Sequence, residues 1–379
     1  MISARFALSA LALAVLSSAA AAAPIEYVIS ISLDGCGGTY LGKLFNGTAT
    51  GGPYSIPNFN RLKNEGASTL AAHCDNNTYE TLPNHTGMIT GRPRDGVDGH
   101  GWTINGDPAV GQTIHSNKGS YVASVFDVAH DNGLKTGLYA NKSKFSLFDN
   151  TATYLGGGSY NGANGAIDTT GFDNGRDKVD TTYINTTLGG IVVDTLIADQ
   201  KGANPNKYMF LHINELDAAG HGSGWGSATW NSQAVVVDSM LGKIFKLIEQ
   251  DGSAMKGKTA IIVTADHGNQ DNPPTSQDRY SVPFFVWGPG VTAGADLYTL
   301  NAGLRQAADS YPMTTYAGMQ PIRNAEINNL ALDLLGLGPI PGSTINFSQN
   351  LMVPEPTSLA VLGLVFGGLL RRRRASDAR

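Results

Sequence analysis

Four short strings stand far apart in this chain: Asp34-Gly35, Thr81-Leu82-Pro83-Asn84-His85, Asp217-Ala218-Ala219-Gly220-His221 and Asp266-His267-Gly268. Each sets carboxylates, imidazoles or a lone hydroxyl where a hydrophobic run gives way to a Gly- or Pro-containing turn, the place where α/β enzymes mount their chemistry. Nitrogen and oxygen ligands beside a hydroxyl suggest metal-assisted ester hydrolysis. Thr81 alone is a poor nucleophile, but a divalent cation can bring the pKa of a bound water from about 15.7 to near 7. A cation held by Asp34, Asp266 and His267 would take Thr81 as a further ligand and aim it at phosphorus. A second, held by Asp217 and His221, would generate the hydroxide for the next step; two ions roughly 3.5 to 4 Å apart clamp both apical oxygens of an in-line displacement. Taken singly, each string is bland. Asp-Gly is a turn signal, Thr81 is by local chemistry a helix N-cap, and His221 is a surface histidine in a glycine-rich stretch. Their joint placement at strand ends favours the site.

The ordered set, with Val282-Pro283-Phe284-Phe285-Val286-Trp287-Gly288-Pro289-Gly290 downstream, resembles the alkaline phosphatase superfamily. Within it the chain is most similar to the type I phosphodiesterase and nucleotide pyrophosphatase branch, over residues 26–290. The resemblance implies that Thr81 becomes phosphorylated, that two zinc ions flank it, and that Asn105, in register after His100-Gly101, hydrogen-bonds a non-bridging oxygen. It also implies a three-layer α/β/α fold with a mostly parallel central sheet. One departure stands out: the family's second metal takes a further histidine after the Asp-His-Gly motif, and no histidine here follows His267. Asp271, Gln277 and Asp278 are the candidate substitutes, and an oxygen-rich site favours a harder ion than zinc.

The neutral donor Asn105 suits a diester, whereas a monoesterase would want a cationic clamp for the dianion. Arg92 reaching the phosphate would make a phosphomonoesterase competitive. A sulfatase is disfavoured, because in this superfamily that chemistry uses Cys or Ser followed by a fixed Pro and Arg pattern that Thr81-Leu82-Pro83-Asn84-His85 lacks. A matrix protein that keeps the fold without turnover is the alternative from another class. The other histidines read as structural: Asn84 and His85 shape the turn, His212 is a hydrogen-bonded core residue, and His73, His115 and His130 have no evident partner.

The elements that must position these residues alternate along the chain. Strands are expected at 26–33, 68–73, 135–139, 208–213, 259–264 and 281–287, and helices at 57–66, 83–90, 121–131, 187–199, 229–250 and 326–335. That order predicts a parallel sheet flanked by helices. Residues 149–190 are rich in Gly, Asn and Thr without periodicity and read as an insertion capping the site.

The ends read as addresses. Residues 1–23 carry one early arginine, an apolar run and an alanine tract, the pattern of a secretory signal peptide. Residues 353–379 begin Val353-Pro354-Glu355-Pro356, continue through twelve apolar or small residues and then reach the cluster Arg371 to Arg374. That helix would cover about 18 Å of a roughly 30 Å hydrocarbon core. The string resembles the Pro-Glu-Pro C-terminal (PEP-CTERM) sorting signal of exopolysaccharide-forming Gram-negative bacteria. It implies transient membrane contact and a destination in the periplasm, outer surface or extracellular matrix. Between these ends, residues 24–350 form the phosphoesterase domain. The chain has 26 basic and 31 acidic residues; without the six arginines and two acids of the two ends, 20 face 29, a net charge of −9. Such an acidic domain has no non-specific grip on nucleic acid, and its partner is a phosphate-ester substrate. Cys36 and Cys74 are either a disulfide pair or two buried small hydrophobes.

Overall fold

Strands buried at every position signal a sheet covered on both faces, and four such runs lie side by side in this molecule. A computed structural model describes residues 25–76, 78–109, 112–149, 178–345 and 351–353. In chain order its strands are β1 (Tyr27–Leu33), β2 (Ala67–His73), β3 (Thr136–Ala140), β4 (Thr181–Ile184), β5 (Tyr208–Ile213), β6 (Thr259–Thr264), β7 (Ser281–Trp287) and β8 (Ala295–Asp296). They lie in the order β4-β3-β5-β1-β6-β7-β2-β8. β7 runs antiparallel to both its neighbours and the remaining pairs are parallel.

The helices that matter to the site are α1 (Gly38–Phe45), α2 (Pro57–Glu65), α3 (Thr81–Thr90), α4 (Val125–Asp131), α5 (Gly189–Gln200), α6 (Glu215–Ser223), α7 (Ala228–Glu249) and α8 (Ile327–Leu334). One layer contains α1, α2, α5 and α7; the opposite layer contains α3, α4 and α8. This is the expected α/β/α arrangement. The long helix α7 buries Trp230, Ala234, Val237, Leu241, Ile244, Phe245 and Ile248, the apolar stripe anticipated from its spacing. Among the described residues no helix is long and apolar enough to cross a membrane.

Because β3, β5, β1 and β6 are adjacent and parallel, their carboxyl ends open on one side. They deliver Asn141 and Lys142, Asn214 to Asp217, Asp34, and Asp266 in a row, as the crevice rule for open α/β sheets requires. The glycine-rich stretch that holds His221 begins inside α6, which continues to Ser223 and stops at Gly224. Helix α1 was not anticipated, since its glycine-rich start breaks the apolar period. Of residues 149–190, 150–177 lie outside the described residues, Thr181–Ile184 form the edge strand β4, and α5 begins at Gly189. The β-branched and aromatic run Thr-Thr-Tyr-Ile explains that strand. The stretch read as a signal peptide and nearly all of that read as a sorting tail also lie outside the described residues.

Candidate metal centre and nucleophile

Asp34 follows β1 directly and is fully buried. Gly35 makes that position possible: its φ of +67° is left-handed, and a Cβ there would come within 2.9 Å of the Asp217 Cα. The turn glycine therefore also serves close packing, letting the ends of β1 and the start of α6 bring two carboxylates together. Asp266 and His267 follow β6 and are likewise fully buried. Asp266 Oδ1 accepts from the backbone N–H groups of Gly35 (3.1 Å) and His267 (2.9 Å).

The remaining oxygens point at one place. His267 Nε2 lies 3.3 Å from Asp34 Oδ1, 3.9 Å from Asp217 Oδ1 and 3.2 Å from Asp266 Oδ2. These three oxygens are buried and accept no hydrogen bond. Asp34, Asp217 and His267 each offer a ligand atom within 4.8 Å of the others. His267 Nδ1 is 2.9 Å from the Gly268 carbonyl, which can only accept, so Nδ1 carries the hydrogen and Nε2 is the ligand atom. Buried carboxylate oxygens without donors are costly unless a cation satisfies them; one oxygen-and-nitrogen cation site therefore fits these residues. Electrostatics agree. Burial opposes charge on His267, yet Asp266, Asp34 and Asp217 push its pKa up to about 9. Burial, followed by the charge of Asp34, holds Asp266 well above the usual carboxylate range. Asp34 is held well below it, because Lys142, His212 and His267 outweigh its burial.

The structure adds residues that motif reading missed. Lys142 Nζ, just after β3, lies 2.6 Å from Asp34 Oδ2, 2.7 Å from Asp217 Oδ2 and 3.4 Å from Thr81 Oγ1. Burial opposes its charge, but the two carboxylates raise its pKa and keep it an ammonium. Lys144 Nζ donates to Asn105 Oδ1 at 3.1 Å; burial first, then Lys142, lowers its pKa. Gln270 Nε2 lies 2.5 Å from His267 Nε2 and 2.7 Å from the Tyr79 carbonyl. The only sequence signal for the lysines was their position at the end of an apolar strand.

Thr81 is the first residue of α3 and is buried; Glu80 holds the cap position, and no side chain caps the helix there. The N-cap role for Thr81 is thus corrected: its hydroxyl faces the Lys142 ammonium. Asn105 Oδ1 accepts from the Leu82 N–H at 3.0 Å, leaving its amide hydrogens as what it can offer a substrate. His85 and Asn84 shape the turn as anticipated. His85 Nδ1 meets the Thr81 carbonyl at 2.7 Å and its Nε2 meets Ser32 Oγ at 2.8 Å. Asn84 ties the Asp75 N–H and the Thr78 carbonyl. His212 is a buried, hydrogen-bonded core residue, but its partner is Asp34 Oδ2 at 2.9 Å, so it orients a site carboxylate. His221 Nε2 is 3.4 Å from Asp217 Oδ1 with its side chain half exposed.

Of the substitutes considered for the missing histidine, Asp278 instead accepts from Thr39 Oγ1 at 2.7 Å, and neither it nor Asp271 joins the ligand cluster. Arg92 donates to the Asp98 and Pro341 carbonyls and Arg94 pairs with Asp95, so neither arginine belongs to the cluster. Both cysteines are buried free thiols, and burial raises the pKa of each.

Comparison with known proteins agrees with this geometry. The family model of type I phosphodiesterase / nucleotide pyrophosphatase matches residues 28–282, more than half of the chain. Among solved structures, an inactive variant of murine ectonucleotide pyrophosphatase / phosphodiesterase 5 in complex with AMP is 14% identical. It superposes with a TM-score of 0.53 over 86% of this chain and 99% of that one. A mutant of the alkaline phosphatase PafA, 11% identical, has a TM-score of 0.55 over 86% of this chain and 98% of that one. At these identities the likeness is one of fold. Among curated proteins, GPI ethanolamine phosphate transferase 1 of Emericella nidulans is 35% identical over 86 residues, 22% of this chain. The match spans 9% of that relative's length.

Proposed function

Because the chain belongs to the type I phosphodiesterase / nucleotide pyrophosphatase family, we propose that it is an exported, metal-dependent phosphodiesterase acting through a phosphothreonine at Thr81. The observation that carries this reading is the convergence of Asp34, Asp217, Asp266 and His267 beside the Thr81 hydroxyl, bridged by Lys142. A divalent cation held by these four residues would lower the pKa of a coordinated oxygen and offset phosphate charge.

The chain's own groups do the rest. Lys142 cannot take the Thr81 proton, since Asp34 and Asp217 keep it charged; it donates to Oγ1, which favours the anionic form of that oxygen. Thr81 Oγ attacks phosphorus in line as its proton passes to solvent, the P–O bond to one ester group breaks and that oxygen leaves with a proton from solvent, and water then attacks the same phosphorus to release a phosphomonoester and restore the Thr81 hydroxyl. The Asn105 amide, the Lys144 ammonium and the N-terminus of α3 face the non-bridging oxygens. With bis(p-nitrophenyl) phosphate, the wild type should turn over, chelation should abolish the rate, and Thr81→Ala should lose at least about 1,000-fold while keeping its circular dichroism and metal content. Acid-quenched wild type should carry one p-nitrophenylphosphoryl group on the peptide containing Thr81. A fully active Thr81→Ala enzyme would remove the nucleophile assignment.

A second reading, a phosphomonoesterase, is favoured by one observation. Lys144 beside Asn105 supplies the cation that Arg92 does not, and a dianion needs such a clamp. Rates with p-nitrophenyl phosphate and the diester, measured side by side, decide between the two. Lys144→Ala should slow the monoester by about 10- to 100-fold, the worth of one charged hydrogen bond, and slow the diester much less; equal losses would make Lys144 indifferent to substrate charge.

A further inference from the structure

The oxygens of Asp34 and Asp217 are divided between two different cationic positions. Both Oδ1 atoms face His267 Nε2 together with Asp266 Oδ2, and none of the three accepts a hydrogen bond. Both Oδ2 atoms are held by one ammonium, at 2.6 and 2.7 Å from Lys142 Nζ. That ammonium sits between the two carboxylates and 3.4 Å from Thr81 Oγ1, so a positive charge already fills the space between Asp217 Oδ2 and the nucleophile.

We infer that this protein works with one resident divalent cation, and that Lys142 takes the place of a second. The inference deepens the reading of this centre as a phosphoesterase site. Three features support it. First, the second ion's ligand set is incomplete: Asp217 gives Oδ2 to Lys142 and turns Oδ1 toward the first ion's ligands, His221 is half exposed, and the described cluster of candidate ligands contains neither Asp271 nor Asp278. Second, the hold on Lys142 is double and buried; its side chain is 18% exposed and the two carboxylates 0% and 7%. Third, charge balances. When the first ion is bound and His267 is neutral, three carboxylates are matched by one dication and one ammonium. A second dication would leave the buried centre with two uncompensated positive charges, a costly state before substrate arrives. Lys142 would then supply, as a fixed point charge, the electrostatic part of the second ion's work on the Thr81 oxygen, without offering it a coordinated water.

Metal stoichiometry tests this without reference to turnover, so its failure is distinct from failure of the phosphoesterase reading. Metal-free protein dialysed against Zn2+ alone, and in parallel against Mn2+ alone, should retain one ion per chain. Lys142→Met, which removes the charge but keeps the bulk, should rise to two, because the freed Asp34 and Asp217 oxygens demand a cation. Lys142→Arg keeps a charge and should stay at one, with circular dichroism confirming the fold of each variant. Two tightly held ions in the wild type would overturn the inference and make Lys142 a substrate-facing residue. So would a folded Lys142→Met that still holds one. If Lys142→Met fails to fold, the wild-type and Lys142→Arg values decide the question alone.

Discussion

At the scale of single residues, the site depends on which atom of each side chain is engaged elsewhere. Asp266 Oδ1 is held by two backbone N–H groups, which leaves Oδ2 for a cation. Asp34 Oδ2 is held by Lys142 and His212, which leaves Oδ1. Outside the centre, His73 stacks against Tyr280 and Tyr311, with ring centroids 5.5 Å from each, and its Nε2 has no hydrogen-bond partner. Burial, helped by Arg323, pushes its pKa down to about 3, and burial does the same to His100. The unfolded chain binds protons at these groups near pH 6.5 and the folded chain does not, so stability rises with pH between about 3 and 6.5 and is fully present above that range. Each histidine contributes a slope of up to about 1.4 kcal/mol per pH unit in that window. Thermal midpoints should therefore fall on acidification from pH 7 to 4.5, and His73→Phe, which keeps the stack, should fall less steeply. Parallel curves would mean that His73 is not buried neutral.

At the scale of elements, the helices around the site are fastened by groups remote in sequence. Helix α2 starts at Pro57 with no cap from its own neighbours. Asp238, in the middle of α7, accepts from the Asn58 and Phe59 N–H groups at 2.9 and 2.8 Å and from the Asn58 amide at 2.8 Å. One carboxylate thus satisfies donors that the helix start leaves open. Asp238→Ala should cost about 1 to 3 kcal/mol in urea unfolding, the range for a lost cap with its donors left buried, while kcat stays unchanged. A loss below about 0.5 kcal/mol would show that water replaces the carboxylate. The segment before α8 plays a similar part for the site. Asn324 donates to the Ala265 and Asp266 carbonyls at 3.1 and 3.2 Å, and Arg323 donates to the Cys74 carbonyl at 3.0 Å. The ends of β6 and β2 are thereby tied to one another behind the carboxylates.

At the scale of the whole molecule, a sheet whose adjacent parallel strands end together converts distant residues into one centre. The proposed export adds a prediction about the chain's ends. Protein recovered from the outside of a Gram-negative host with the matching sorting machinery should begin near Pro24 and lack Arg371 to Arg374, as read by intact mass. Retention of the arginine cluster in that material would leave the tail as a weak anchor. The acidic charge of the domain between those ends has a further consequence: a polyanionic substrate gains no general attraction, so recognition rests on the cations of the centre itself.

Much of this was written in the chain. Strand runs such as Thr259–Thr264 and the apolar stripe of α7 carry their own periodicity, and the pairing of Asp34 with Gly35, or Asp266 with His267, marks a strand end by local chemistry. Those signals are local, so they survive without the fold. The pairing of Lys142 with Asp34 and Asp217, the use of His212 to hold Asp34, the Gln270 contact to His267 and the capping of α2 by Asp238 have no local signature. A lysine after an apolar run looks solvent-bound in sequence. It becomes part of the centre only because β3 is placed two strands from β1, with β5 between them, and all three end on the same side. Residue types and strand ends followed from the order of amino acids; which atoms meet, and hence the balance of charge at the centre, was decided by strand order in the folded sheet.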